Sequence, residues 1–254
     1  MSNIINRTAL VTGSSRGIGK SVAVELAKAG YAVAVHGSRK TDHLDAAFEE
    51  VRMINPGSIC LSADLTDPSA IDKMFVEIKA KFGLLGVLIN NAAVQNPSPI
   101  LDLKLVDWDR IMYTNLRSVF LCSQHAGRMM REAGGGKIIN ISSVHETAPR
   151  RYYAHYSSAK GGLVMLTKAM ALELADFNIQ CNYITAGAVA TEMTDPDRQD
   201  SLLTSIPANR IGKPEEIGKL ICFLVSSDAS YITGSGITID GGILLGFCAT
   251  RRDL

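Results

Sequence analysis

Several things this chain lacks narrow its function before any motif is read. It carries no large excess of either charge: 26 Lys and Arg against 25 Asp and Glu leave a formal net charge of +1. That is no electrostatic footprint for gripping nucleic acid or an anionic membrane. No uninterrupted apolar stretch approaches the ~18 residues of a transmembrane helix. The opening MSNIINRTALVTG has no basic segment followed by a long apolar one, so no signal peptide is read there. Cysteine is sparse. Cys60, Cys122, Cys181, Cys222 and Cys248 are odd in number, scattered and in no metal-ligand spacing. They predict reduced, mostly buried thiols of a cytoplasmic protein, and no structural or catalytic metal. Linker-like composition shifts and internal repeats are missing too. With 254 residues, 46% hydrophobic and 20% charged, the chain reads as one globular domain over 1–254 with a sizeable core.

Short apolar runs alternate with helical ones along that domain. Strands are expected at 8–12, 32–35, 58–62, 86–90, 137–141, 179–184 and 236–239. Helices are expected at 21–30, 42–54, 68–82, 107–133, 155–175 and 214–226. The alternation predicts an α/β fold: a single doubly wound, Rossmann-type parallel sheet with helices on both faces. The one long irregular span, 185–213, is a candidate substrate lid. In such sheets the ligand sits outside the carboxyl ends of the strands. Gly13, Arg39, Asp64, Asn90 and Ser143 all fall at or just past those ends, so one crevice can collect them.

The first strand runs into Gly13-Ser14-Ser15-Arg16-Gly17-Ile18-Gly19 and then a helix. Glycines let a backbone approach a pyrophosphate closely, and a helix N-terminus offers it free N–H groups. The spacing is G-x-x-x-G-x-G, and turn chemistry alone is the other reading. The second strand ends in His36-Gly37-Ser38-Arg39-Lys40 with no acid before Asp42. An acid there would hold free ribose hydroxyls, whereas Arg39, with Ser38 and Arg16, can flank a 2′-phosphate. That chemistry favours NADP, with NAD possible.

Tyr156 and Lys160 stand at i and i+4, one turn apart on one helix face. A tyrosine of pKa near ~10 holds its proton too tightly for acid–base work at neutral pH. A lysine cation about 4 Å away would stabilise the phenolate by up to ~4 kcal/mol. Ser143 could then hydrogen-bond the same substrate oxygen. An ordinary helix tyrosine with its i+4 lysine is the plainer alternative.

Taken together, Thr12-Gly13-x-x-x-Gly17-x-Gly19, Asp64, Asn90-Asn91-Ala92, Asn115, Ser143, Tyr156 and Lys160 resemble the short-chain dehydrogenase/reductase family over nearly the whole chain. The resemblance implies hydride transfer between nicotinamide C4 and a carbinol or carbonyl carbon. It makes Tyr156 the general acid/base and Ser143 the group that orients the substrate oxygen. Lys160 would bind the nicotinamide ribose and lower the tyrosine pKa, and Asn115 would hold a proton-relay water. Asp64, beside Leu65, would contact adenine; Asn90, near Ala92, the adenosine-side ribose; Val189 and Thr191 the carboxamide end. Ala93 and Ala186 stand where the family commonly has glycine and proline. Local strings such as Ser142-Ser143-Val144-His145-Glu146 are similar to bacterial glucose 1-dehydrogenases, with Gln95 in place of a glutamate. Gln95 and His145 are thereby substrate-contact candidates, His145 being otherwise a solvent-exposed loop histidine.

Within that resemblance the expected substrate is a small-molecule alcohol or ketone, a sugar or polyol included. A 3-oxoacyl-carrier-protein reductase and a non-enzymatic dinucleotide sensor or assembly subunit are alternatives. Helices 107–133 and 155–175 carry apolar residues around most of their circumference, and the tail 243–248 is apolar as well. These faces predict a homotetramer with two-fold symmetry.

Overall fold

Seven apolar runs hydrogen-bond side by side into a parallel sheet in a computed structural model that describes residues 6–191 and 203–246. The strands are β1 (Thr8–Val11), β2 (Ala32–Gly37), β3 (Ile59–Ser62), β4 (Val87–Asn90), β5 (Gly136–Ile141), β6 (Ile179–Ala186) and β7 (Gly236–Ile239), in the order β3-β2-β1-β4-β5-β6-β7. The helices are α1 (Gly17–Lys28), α2 (Asp42–Ile54), α3 (Pro68–Phe82), α4 (Leu105–Met112), α5 (Ser118–Glu132), α6 (Ala154–Leu174) and α7 (Pro214–Val225).

Alternation along the strands feeds two apolar layers. Val11, Val35, Ile89 and Ile139 face Val22, Leu26, Ile217 and Ile221 of α1 and α7. Leu10, Leu88 and Ile138 face Ile71, Phe75 and Met130 of α3 and α5. Both faces of the sheet are covered, which is why β5 is buried at all six positions. Local signals set the helix ends. Thr41 caps α2 by accepting from the Leu44 amide at 3.2 Å; Asp67 caps α3, with Pro68 in its first turn.

One expected helix is interrupted. Residues 107–133 form α4, a π-helical turn Tyr113–Arg117, and α5. Asn115 sits in that wide turn and grips a neighbouring loop, the kind of insertion such turns accompany.

Chain order reverses direction at β1, whose neighbours are β2 and β4. Connections leave this pair toward opposite sides and open a crevice at the strand C-termini. A buried polar chain crosses the sheet nearby. Asn90 Nδ2 donates to Asn140 Oδ1 at 2.8 Å and to Ser123 at 3.1 Å; Asn140 Nδ2 donates to Thr167 Oγ1 at 2.8 Å. The chain ties β4, β5, α5 and α6 together just below the crevice.

Of the expected lid, 192–202 lie outside the described residues. Its two stems are laced: the Ala190 amide donates to Gly212 O and the Gly212 amide to Ala188 O, both at 2.9 Å. Of the apolar tail, 247–248 lie outside the described residues as well; Leu245 is 88% exposed. Among the described residues no helix is long and apolar enough to cross a membrane.

Candidate active site

At the adenosine end of the crevice, the glycine turn is built for close approach. Gly13 and Gly17 take φ of +64° and +57°, a region L side chains enter at a cost. A Cβ on Gly19 would stand 2.3 Å from Gly13 O, and one on Gly17 would stand 3.3 Å from Thr191 Cγ2. Alanine is thus shut out at Gly19, and Thr191 is brought against the turn. Arg16 precedes α1 without capping it by its side chain, so the first-turn amides face the crevice. Asn91 Nδ2 bonds Thr12 O and Gly13 O, both at 2.9 Å, locking the turn to the end of β4.

Ser14 offers no hydroxyl to a ligand. It is fully buried, its Oγ donating to Val11 O at 2.8 Å and accepting from the His36 amide at 2.8 Å. The Asn90 side chain is likewise engaged with Asn140 and Ser123, which leaves its main chain as the part open to a ligand. Leu65 and Val189 place their side chains in the interior and can meet a cofactor through backbone alone. Asp64 is exposed, with Oδ1 accepting from the Thr66 amide and hydroxyl at 2.8 Å each. Ser38 and Arg39 stand exposed past β2, where no acid opposes them. Ser15 and Ile18 are half-buried in the glycine turn, and Ala92 lies against Gly13.

At the other end, Ser143 follows β5, and Tyr156 and Lys160 rise from the first two turns of α6. Ser143 lies near enough to the Tyr156 phenol to favour its ionised form, while its Oγ accepts from the His145 amide at 3.3 Å. Lys160 Nζ is buried, donates to Ile141 O at 2.7 Å and lies 5.7 Å from the centre of the Tyr156 ring. The expectation of a phenol brought toward neutrality by its lysine is not met. Burial raises the Tyr156 pKa, the nearby Ser143 hydroxyl opposes the rise, and the Glu146 carboxylate adds to it. The lysine itself moves: burial pushes it down to about 8, with Glu146 pulling it back up.

The Asn115 side chain is engaged as well. Its Oδ1 accepts from the Val94 amide and its Nδ2 donates to Val94 O, both at 2.9 Å, so the side chain is not free to hold a water. His145 stands edge-on to Tyr156, ring centres 6.3 Å apart. Its Nδ1–H donates to Ala148 O at 3.0 Å, leaving Nε2 as an acceptor, and burial lowers its pKa. Gln95 is half-buried in the facing loop, which joins the His145 side through the Ser98 amide and Tyr152 O at 2.8 Å.

The polar chain Asn140–Thr167, Ser123 and the role of His36 were missed from sequence. Their signal was faint: an asparagine inside KIINI, and a histidine ending an apolar strand.

This arrangement has close counterparts. The family described as enoyl-(acyl carrier protein) reductase matches residues 13–244. The 3-oxoacyl-[acyl-carrier-protein] reductase FabG of Staphylococcus aureus (strain Mu50) is 36% identical over 95% of this chain and 99% of its own. An acetoin dehydrogenase from Enterobacter cloacae superposes with a TM-score of 0.90 at 37% identity, covering 98% of this chain and 99% of that one. A short-chain type dehydrogenase/reductase from Mycobacterium marinum gives 0.88 at 36%, covering 94% and 96%. The chain belongs to the short-chain dehydrogenase/reductase family. It is an NAD(P)-dependent oxidoreductase that moves a hydride between nicotinamide and a secondary alcohol or ketone.

A buried ammonium ion is costly to the fold, so Lys160→Met should be more stable than wild type at pH 7, by about 1–3 kcal/mol, while losing turnover. Between about pH 8 and 10.5 the unfolded lysine binds more protons than the folded one. Wild-type stability therefore climbs with pH through that window and the gap closes. Urea melts across it check this; a gap independent of pH would rule burial out as the cause.

Proposed function

We propose that the crevice takes NADPH in preference to NADH and serves a small polar alcohol or ketone of the sugar or polyol class. The observation that carries the chemistry is the placing of Tyr156 beside Ser143, with Lys160 Nζ 5.7 Å from the Tyr156 ring centre one turn along the same helix. When bound, the cofactor supplies or accepts the hydride at nicotinamide C4. Ser15, Arg16, Gly17, Ile18 and Gly19 hold its pyrophosphate, with Gly13 shaping the turn beneath it; Ala92 and the Asn90 main chain border the ribose. Asp64 and the Leu65 main chain meet adenine, and Val189 and Thr191 the carboxamide. Lys160 binds the nicotinamide ribose. Ser143 orients the substrate oxygen, and Tyr156 gives that oxygen a proton in reduction and removes one in oxidation. Any part Asn115 takes in proton transfer falls to its main chain, since its side chain holds Val94. The catalytic unit spans 1–254, with 185–213 as the substrate lid rooted on the Ala188–Gly212 ladder.

A polyol is favoured by the groups around the mouth. Gln95 and the His145 Nε2 acceptor sit there, and Asn96 Oδ1 and Glu146 Oε2 are buried without a protein partner among the described residues. Substrate hydroxyls can satisfy such acceptors. The 3-oxoacyl-carrier-protein reductase reading rests on the Staphylococcus aureus relative and on Arg150 and Arg151 at the rim, stacked 4.5 and 4.9 Å from Tyr153 and Tyr152. Thiols at Cys60, Cys122, Cys181 and Cys222 are free, which suits a cytoplasmic location.

A homotetramer fits the outer faces of α5 and α6. Phe120, Met165 and Leu172 are 45%, 64% and 81% exposed there, beside two shallow grooves of about 360 and 330 Å³. β7 and the tail after it supply a second exposed edge.

Tyr156→Phe removes only the transferable proton, so kcat should fall at least ~10²-fold with NADPH affinity nearly unchanged. Reduced-nicotinamide absorbance over a panel of polyols, hydroxyketones and a 3-oxoacyl thioester reads this out. More than about a tenth of kcat surviving would remove Tyr156 as the acid/base. The panel also decides the substrate class: turnover confined to the thioester favours the second reading.

Arg39→Asp should reverse the cofactor preference, because a carboxylate repels a 2′-phosphate and binds free ribose hydroxyls. Tighter NAD than NADP binding by the wild type would overturn the assignment.

Light scattering at micromolar concentration tests the assembly. A mass of four chains is expected; one chain refutes it, and two leave a single interface.

A further inference from the structure

We propose that His36 is a positioning residue of the dinucleotide site, its imidazole holding the pyrophosphate turn through the Gly13 amide while Ala63 O orients the ring. The proposal rests on the reading that a nicotinamide dinucleotide lies in this crevice.

His36 is the penultimate residue of β2 and 1% exposed. Its ring reaches sideways to both neighbouring strand ends. Nδ1 accepts the Gly13 amide hydrogen at 3.1 Å, and Nε2 donates to Ala63 O at 3.0 Å. An amide only donates and a carbonyl only accepts, so the two partners select one neutral tautomer, with its proton on Nε2. Gly13 opens the glycine turn; Ala63 directly precedes Asp64 and Leu65. The backbone of His36 adds two more bonds to the turn: its amide donates to Ser14 Oγ and its carbonyl accepts the Ser14 amide, both at 2.8 Å.

The Gly13 amide therefore points into the protein rather than toward the pyrophosphate, in a turn where Gly13 has a left-handed φ of +64°. A lysine ammonium could not replace the ring, because it has no acceptor for the Gly13 amide, whereas the ring accepts at one nitrogen and donates from the other. Burial keeps the ring neutral, its pKa lowered to about 4, so both bonds survive at physiological pH. Protonation would set an N–H against the Gly13 N–H.

Two near-isosteric changes separate the halves of the brace. His36→Asn puts an oxygen close to the Nδ1 position and keeps an acceptor for Gly13. His36→Gln puts an amide nitrogen close to Nε2, keeps the donor for Ala63 and leaves the Gly13 amide without an acceptor. Losing one buried acceptor predicts about a tenfold weaker Kd in the Gln variant, for NADPH and NADH alike, because the pyrophosphate and adenine are common to both. The Asn variant should stay within about threefold of wild type. In turnover the Gln defect should appear in the cofactor KM, leaving kcat at saturating cofactor little changed.

Fluorescence titration of each full-length variant with each cofactor gives the constants. Gln binding as tightly as wild type, or Asn and Gln weakening equally, overturns the proposal. A ¹⁵N–¹H spectrum of the wild-type imidazole gives a second test that needs no variant to fold: Nδ1 must be the bare nitrogen, and a proton there refutes the brace. If the wild type binds neither cofactor, the dinucleotide reading itself has failed, an outcome distinct from all of these.

Discussion

The catalytic geometry depends on a row of buried amides that touches no substrate. Asn140 lies three residues before Ser143 on β5, and Thr167 lies seven residues past Lys160 on α6; their 2.8 Å bond fixes how far the helix slides along the strand. Thr167 passes the chain on to Leu163 O at 2.7 Å, and Asn140 is held in turn by Asn90. Apolar packing alone tolerates small shifts of a helix over a sheet. A fully satisfied polar chain does not, because any slip leaves a buried amide unpaired at about 1–3 kcal/mol. Tyr156 can thus be held beside Ser143 although they sit on separate elements joined by an irregular loop.

Two buried titratable groups near the strand ends meet opposite fates for the same physical reason. His36 faces a donor on one side and an acceptor on the other, a pair only a neutral ring can serve. Lys160 faces a carbonyl at 2.7 Å and feels the Glu146 carboxylate, so the charged form has something to gain that partly offsets desolvation. Glu146 is itself held by the Thr185 hydroxyl at 2.6 Å. The fold thus spends stability on a cation where a ribose is expected to lie and keeps charge out of the brace behind the pyrophosphate turn. Structural and catalytic burial are told apart by which partners line the pocket, not by how deep the group lies.

Most of the fold was legible because it rests on local periodicity. Every expected strand and helix appears within a few residues, the exception being the helix broken at Tyr113–Arg117. No periodicity could reveal that break: its cause is a contact between Asn115 and Val94, 21 residues apart. The same limit explains the site. Gly13, Gly17 and Gly19 were readable, since a turn between strand and helix needs them. Ser14, Asn90 and Asn115 were read as ligand contacts from a motif that records identity but not direction, and their side chains turn inward. His36 and Thr167 carried no motif, and their partners lie 23 and 27 residues away on other elements.

The two ends of the crevice are held by different kinds of contact, and this bears on where selectivity resides. Around the adenosine half, Thr12, Ser14, His36 and Asn91 join β1, β2 and β4 by short hydrogen bonds between buried or partly buried groups. Around the mouth, the walls meet through the Ser98–Tyr152 backbone bond and the stacking of Arg150 on half-buried Tyr153 and Arg151 on exposed Tyr152. Exposed stacking of this kind contributes about 0.5–1 kcal/mol, against a larger penalty for breaking a buried hydrogen bond. Loops so lightly held can change sequence without disturbing the sheet. An acetoin dehydrogenase and a 3-oxoacyl reductase can therefore share this backbone at similar identity. On the function proposed above, the substrate is selected by the few polar groups those loops present, His145, Gln95 and Asn96 foremost, and the hydride and proton chemistry lies beneath them.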